Sequence, residues 1–128
     1  LDEFVAARHR IANRYDQLLE SLPVDIPFQL EKTYSGLHLY IIRLKLEQIS
    51  VSHKKVFEGL RANGIGVNLH YIPVHMQPFY QAKGFQLGDF PQSEKYYSEA
   101  VSLPMYPDLT EREQDAVIAA LRVEVARK

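Results

Sequence analysis

Between Gly64 and Tyr80 the chain reads GIGVNLHYIPVHMQPFY, which sets two histidines, two tyrosines and two prolines directly after a glycine-punctuated helix end. A neutral imidazole and a phenol each donate and accept hydrogen bonds, so this is the part of the chain best equipped to meet a polar ligand. His70 and His75 flank a loop stiffened by Pro73, and both can converge on one pocket with Tyr71 or Tyr80. A second reading stands beside this one: a histidine next to a tyrosine near a sheet edge often does no more than satisfy neighbouring backbone. A metal site is not expected, because no carboxylate stands at ligand spacing near the two histidines.

Other chemistries are poorly served. Gly64 and Gly66 follow a helix, whereas a phosphate-binding glycine loop precedes one. No serine sits in a nucleophile elbow, and no paired carboxylates have glycosidase character. The absence of cysteine removes disulfides, thiolate metal sites and thiol catalysis. Tyr96 and Tyr97 are expected to be one core and one surface aromatic rather than a stacking platform. Lys54, Lys55, Arg61, Arg127 and Lys128 read as solvated helix faces, and His38 and His53 carry no distinctive spacing.

These residues must be positioned by a small scaffold. The chain has 128 residues, enough for one modest core, with 46% hydrophobic and 24% charged residues and a net charge of −1. Such a balance offers no basic surface for nucleic acid. No apolar run approaches the roughly 20 residues of a membrane span and no signal peptide is evident, so a cytoplasmic location is expected. The sequence begins at Leu1 inside a helical pattern, and a fragment of a longer polypeptide is expected.

Periodicity predicts a first helix over about residues 2 to 21, with Phe4, Ile11, Tyr15, Leu18 and Leu22 on its stripe and Pro23 as its stop. Residues 37 to 44, LHLYIIRL, read as a strand apolar on both faces and therefore central. Ser52 caps a helix carrying Val56, Phe57 and Leu60, with Gly64 at its left-handed end. Val67 to Ile72 reads as a second strand, with Val67, Leu69 and Tyr71 on its apolar face and Asn68, His70 and Ile72 on the other. A helical turn near Phe79 to Lys83 follows, then a helix opened by Pro91 that presents Glu94, Tyr97 and Val101. Ser102 to Tyr106 is a brief extended segment. A final helix starts at a capping box of Thr110 and Glu113 and carries Val117, Ile118, Leu121 and Val125. This order predicts an α/β fold, an α+β sandwich of two layers with a sheet of about three strands; the unit over 37 to 72 makes a right-handed crossover if its strands run parallel.

Three stretches, HLYIIRL at 38 to 44, GIGVNLHYIPVHMQPFY at 64 to 80 and FPQSEKYYSEAVSLPMYPDLTEREQDAVIAAL at 90 to 121, resemble in wording and order the C-terminal small domain of DegT/StrS-family nucleotide-sugar aminotransferases. HYIPVH, the GDFP junction and SLPMYP are most similar to the pseudaminic-acid branch of that family. The resemblance implies that residues 1 to 128 form the small domain of a fold type I enzyme that depends on pyridoxal 5'-phosphate. It implies transfer of an amino group from glutamate to C4 of a UDP-linked 4-keto-6-deoxy-N-acetylhexosamine, in a homodimer with active sites at the subunit interface. The cofactor's lysine, carboxylate and most phosphate contacts then belong to a larger N-terminal domain. The lysines of this chain match no cofactor-lysine motif, so the fragment alone is expected to be inactive.

On this resemblance His70, Tyr71, His75 and Tyr80 face the cleft and shape the nucleotide-sugar site, with Asn68 in support; none of them is a catalyst. Two readings of other kinds remain open on the residues themselves. One is a free-standing small-ligand-binding α/β module, which would have its own start codon. The other is a dimerisation domain whose histidines are satisfied by backbone.

Overall fold

The computed structural model describes residues 1 to 127. Helix α1 (Asp2–Leu19) is followed by strands β1 (Val24–Asp25) and β2 (Tyr40–Leu44), helix α2 (His53–Ala62) and strand β3 (Asn68–Leu69). Helices α3 (Pro78–Gln81) and α4 (Pro91–Glu99), strand β4 (Ala100–Leu103) and helix α5 (Glu111–Val125) complete it. The sheet has four strands in the order β1-β2-β4-β3, every neighbouring pair antiparallel. The added strand is β1, too short to show a period in the sequence, which pairs Val24 with Leu44.

The crossover takes a split form. Because β2 and β3 are each antiparallel to β4, they point the same way, yet β4 lies between them. That inner strand was read as an extended segment at 102 to 106, and its true span begins two residues earlier, where α4 passes into it without a loop. Ala100 makes the change by adopting ψ 132. Val101 is therefore a strand residue rather than a member of the α4 stripe.

Register decides what each face carries. Tyr40 lies opposite Leu103 and Ile42 opposite Val101, so these four point to one side with Leu44, Val24 and Leu69. That side packs with Ile11, Ala12, Tyr15 and Leu19 of α1, Val56 and Leu60 of α2, and Val117, Ile118, Leu121 and Val125 of α5 into one core. The other side carries Ile41, Ser102 and Asn68 in a row across three strands, with Arg43 beside Ala100. Helix α4 packs on β2.

Local signals explain the helices. Ser52 accepts from the Lys55 amide and Gly64 takes φ +77, while Thr110 and Glu113 form the reciprocal capping box expected of them. On α1 the buried stripe is Ala7, Ile11, Ala12, Tyr15 and Leu19, while Phe4, expected on it, stays 57% exposed. Three polar groups in the core have partners: Tyr15 Oη donates to the Pro104 carbonyl, Tyr40 Oη to Asp16 and Gln114 Nε2 to the Ile11 carbonyl, whereas Arg8 Nε is buried without one. Burial pushes both phenols up, so they stay neutral donors.

Two expected strands are shorter than read. Strand β2 begins at Tyr40, because Leu37 turns inward at φ +43 and breaks the extended run. Strand β3 ends at Leu69: Tyr71 takes φ +39 and is exposed, so the predicted apolar face of Val67, Leu69 and Tyr71 fails at its last member.

Helix α2 meets α5 at Gly59, where a Cβ would run into the Glu124 carboxylate. Glu124 is buried and held by Asn63 Nδ2 at 3.2 Å and Arg127 at 2.9 Å, so it has little room to withdraw. Gly59→Ala, which in an open helix stabilises by about 1 kcal/mol, should here destabilise by roughly 1–3 kcal/mol. A urea titration of variant against wild type measures this, and a gain in stability would show that Glu124 moves freely.

Candidate functional site

His70 follows directly on β3 and is half-buried, with its ring 5.2 Å from that of Tyr71 and 6.0 Å, edge to face, from that of Tyr96 on α4. Tyr71 is 77% exposed at a backbone angle that costs a residue with a Cβ of the order of 1 kcal/mol or more. Behind Tyr96 lies a polar clamp. Arg43 Nε and Nη2 donate to Glu99 Oε2 at 3.0 and 2.7 Å, and the guanidinium carbon lies 6.0 Å from the Tyr96 ring centre. Hydrogen bonding to Glu99 holds the Arg43 guanidinium firmly charged, while burial pushes the Tyr96 phenol up against the pull of Arg43. Tyr96 and Tyr97 are both half-buried, where one core and one surface aromatic are expected, and Tyr96 meets His70 edge to face.

His75 is placed differently. A 3-10 turn at Val74–Met76 buries its side chain, and its Nε2 lies 2.8 Å from Glu94 Oε1. An ionised carboxylate only accepts, so Nε2 carries the proton and donates. The same Glu94 oxygen accepts from the Gly88 amide at 2.8 Å and the Phe90 amide at 3.4 Å. Burial pushes the Glu94 carboxyl up, but the Gly88 amide, His75 and the Phe90 amide together outweigh it and hold it below its ordinary value. One carboxylate therefore ties the turn, the loop before α4 and α4 itself together.

His75 and Tyr80 do share a hollow. Its volume is about 310 Å³, and Val74, Phe85, Phe90 and Ser93 complete its wall. Tyr80 meets Phe79 and Phe85 edge to face, and His75 lies 4.8 Å from Phe90. Asn68 lines neither group; it borders a depression of about 620 Å³ with Leu39, Ser102, Met105 and Tyr106. The five residues thus fall into three neighbouring settings rather than one pocket.

Glu94, Arg43, Glu99 and Tyr96 complete this region, and the spacing of residues singled out none of them as partners of the histidines. The signal available was a lone arginine on an otherwise apolar strand, which calls for a buried acceptor. Among the described residues no group of three or more His, Asp or Glu side chains is placed to hold a metal ion. Lys45, Lys54 and Lys95 pair with Asp25, Glu58 and Glu99, Lys83 lies over the Phe79 ring, and Lys32 and Lys55 are exposed.

Residues 1–122 match the DegT/DnrJ/EryC1/StrS aminotransferase family. The chain belongs to that family. Over 125 residues it is 34% identical to the spore coat polysaccharide biosynthesis protein SpsC of Bacillus subtilis (strain 168), an alignment that takes in 95% of this chain and 32% of SpsC. A DegT DnrJ EryC1 StrS aminotransferase from Brucella abortus superposes with a TM-score of 0.79 at 31% identity, covering 97% of this chain and 32% of that one. Helicobacter pylori PseC, an aminotransferase involved in the biosynthesis of pseudoaminic acid, superposes with a TM-score of 0.83 over 95% of this chain and 33% of its own; at 24% identity this is a likeness of fold. Other similar structures were solved with pyridoxamine phosphate or in a pyridoxal phosphate form. The chain spans about a third of the length of the relatives it matches. Membership of this aminotransferase family is thereby established, while the likeness to the pseudaminic-acid enzyme is one of fold.

A depressed Glu94 contributes stability that is present above the ordinary carboxylate range and lost as pH falls through its native value, because the unfolded chain then binds the extra proton. Glu113, lowered by the Thr110 amide and hydroxyl, adds a term of the same sign. The thermal midpoint should fall as pH drops from about 6 towards 3, and less steeply in Glu94→Gln. Parallel pH profiles for the two proteins would show that Glu94 is not held as the geometry implies.

Proposed function

We propose that residues 1 to 128 are the C-terminal, substrate-side domain of a pyridoxal-phosphate-dependent sugar aminotransferase, with a larger N-terminal domain supplying the cofactor site. The reaction proposed is transfer of an amino group from glutamate to C4 of a UDP-linked 4-keto-6-deoxy-N-acetylhexosamine, in a homodimer that makes precursors of surface polysaccharide or glycan. Family membership supports this reading, as do the one-third coverage and the likeness to SpsC, a spore coat polysaccharide biosynthesis protein.

The observation that carries the substrate side is the His70–Tyr71 edge. A strained, exposed tyrosine beside a half-buried histidine, at the end of a two-residue strand, is an arrangement that folding alone does not favour. In this proposal His70 and Tyr71 hydrogen-bond sugar hydroxyls, the N-acetyl carbonyl or a diphosphate oxygen, and so hold C4 in reach of the cofactor. Tyr80, in the neighbouring hollow with His75, and Asn68, on the other sheet face from the core, extend this edge with a phenol and an amide. His75 contributes by fixing the loop wall through Glu94.

In the full-length enzyme His70→Ala should raise the sugar substrate's KM about tenfold, the worth of one good hydrogen bond, and leave the glutamate half-reaction unchanged. Equal losses in both half-reactions would assign His70 to the cofactor or the fold. Pyridoxal phosphate added to this chain alone should keep the absorbance of the free aldehyde. A new band that disappears on mutation of one of the chain's lysines would overturn the division between the two domains.

A further inference from the structure

The contacts behind His70 form a continuous row. Glu99 receives two hydrogen bonds from Arg43, the Arg43 guanidinium lies against the Tyr96 ring, and that ring meets the His70 imidazole edge to face at 76° between planes. The four members come from three parts of the fold: Arg43 from β2, Tyr96 and Glu99 from α4, and His70 from just after β3. The row therefore crosses the sheet's open side and ends where the chain leaves β3.

His70 needs such support. The strand that carries it has ended one residue earlier, Tyr71 departs into the left-handed region, and no ladder hydrogen bond fixes the backbone at this point in the way that Asn68 and Leu69 are fixed by Ser102 and Val101. A half-buried imidazole in that position keeps one orientation only if another ring limits it. Tyr71 lies nearer but is itself largely exposed; Tyr96 is the ring held from behind, because the Arg43 guanidinium beside it is tied to a buried carboxylate and cannot swing away.

We propose that Tyr96 is a positioning residue for His70, with its aromatic ring rather than its hydroxyl as the working part and the Arg43–Glu99 pair as its anchor. This rests on the reading of His70 as a sugar-binding group. An aromatic contact of this kind narrows the imidazole to the orientation that meets the substrate, and its loss should weaken sugar binding without touching the reaction with glutamate.

The test compares Tyr96→Leu, Tyr96→Met and Tyr96→Phe in the full-length holoenzyme, with His70→Ala alone and combined with Tyr96→Leu. Leu and Met should each raise the sugar KM about three- to tenfold with the glutamate half-reaction unchanged, while Phe, which keeps the ring, stays within about twofold of wild type. In the His70→Ala background Tyr96→Leu should add nothing further, since its effect passes through the imidazole. If His70→Ala raises KM but Leu and Met leave it unchanged, or if the two losses simply add, the positioning role is wrong and the reading of His70 survives. If His70→Ala itself leaves the sugar KM unchanged, the sugar-binding reading fails and the positioning role goes with it. Equal loss in both half-reactions, in both Leu and Met, would show that Tyr96 serves the fold.

Discussion

The burial of β4 is the constraint on which the rest of the molecule depends. All four of its residues are inaccessible, it is paired on both edges, and it continues α4 without a connecting loop. A strand with no free edge and no exposed face has its register set twice, once by β2 and once by β3, and a slip of one residue would turn Val101 and Leu103 out of the core. Because α4 runs straight into this strand, the same register fixes where α4 lies on β2. Glu99 then faces Arg43, and Tyr96, one helical turn earlier, falls against the guanidinium.

A second layer of order comes from carboxylates that serve several donors at once. Glu94 collects an imidazole and two amides, Glu99 collects a guanidinium, and Glu124 joins Asn63 to Arg127 where α2 and α5 touch. Each is poorly exposed, so each must be fully partnered to be tolerated, and each in consequence ties together segments far apart in sequence. The loop from Gln77 to Phe90 shows the effect clearly. It has one short helix and little core of its own, yet its aromatic rings and the Glu94 junction hold it around a defined hollow.

The region facing the proposed substrate is built with fewer such ties. Tyr71, Ile72 and Val74 are exposed, and β3 is only two residues long. The short strand limits how far the backbone is held, so side-chain packing from α4 and the junction at Glu94 take over the positioning. Local strain at Tyr71 is sustained because Asn68 and Leu69 on one side and the buried Pro73 and His75 on the other fix the two ends of the turn.

Much of this was legible in the sequence where the cause is local. Ser52, Gly64, Pro91, Thr110 and Glu113 act on backbone groups within four residues, and the helices they bound, with the apolar stripe of α5, lie where those residues require. The stretches at 38 to 44, 64 to 80 and 90 to 121 also carried the resemblance to the family that residues 1–122 match. The strand ends were not legible, because alternation cannot reveal a positive φ at Leu37 or Tyr71. Nor were β1, the insertion of β4 between β2 and β3, or the pairing of His75 with Glu94 and of Arg43 with Glu99 and Tyr96. These partners lie between 19 and 56 residues apart along the chain, and nothing in their spacing links them. Local backbone chemistry is written in the order of residues, whereas a contact between distant side chains exists only once burial of β4 has set the register that brings them together.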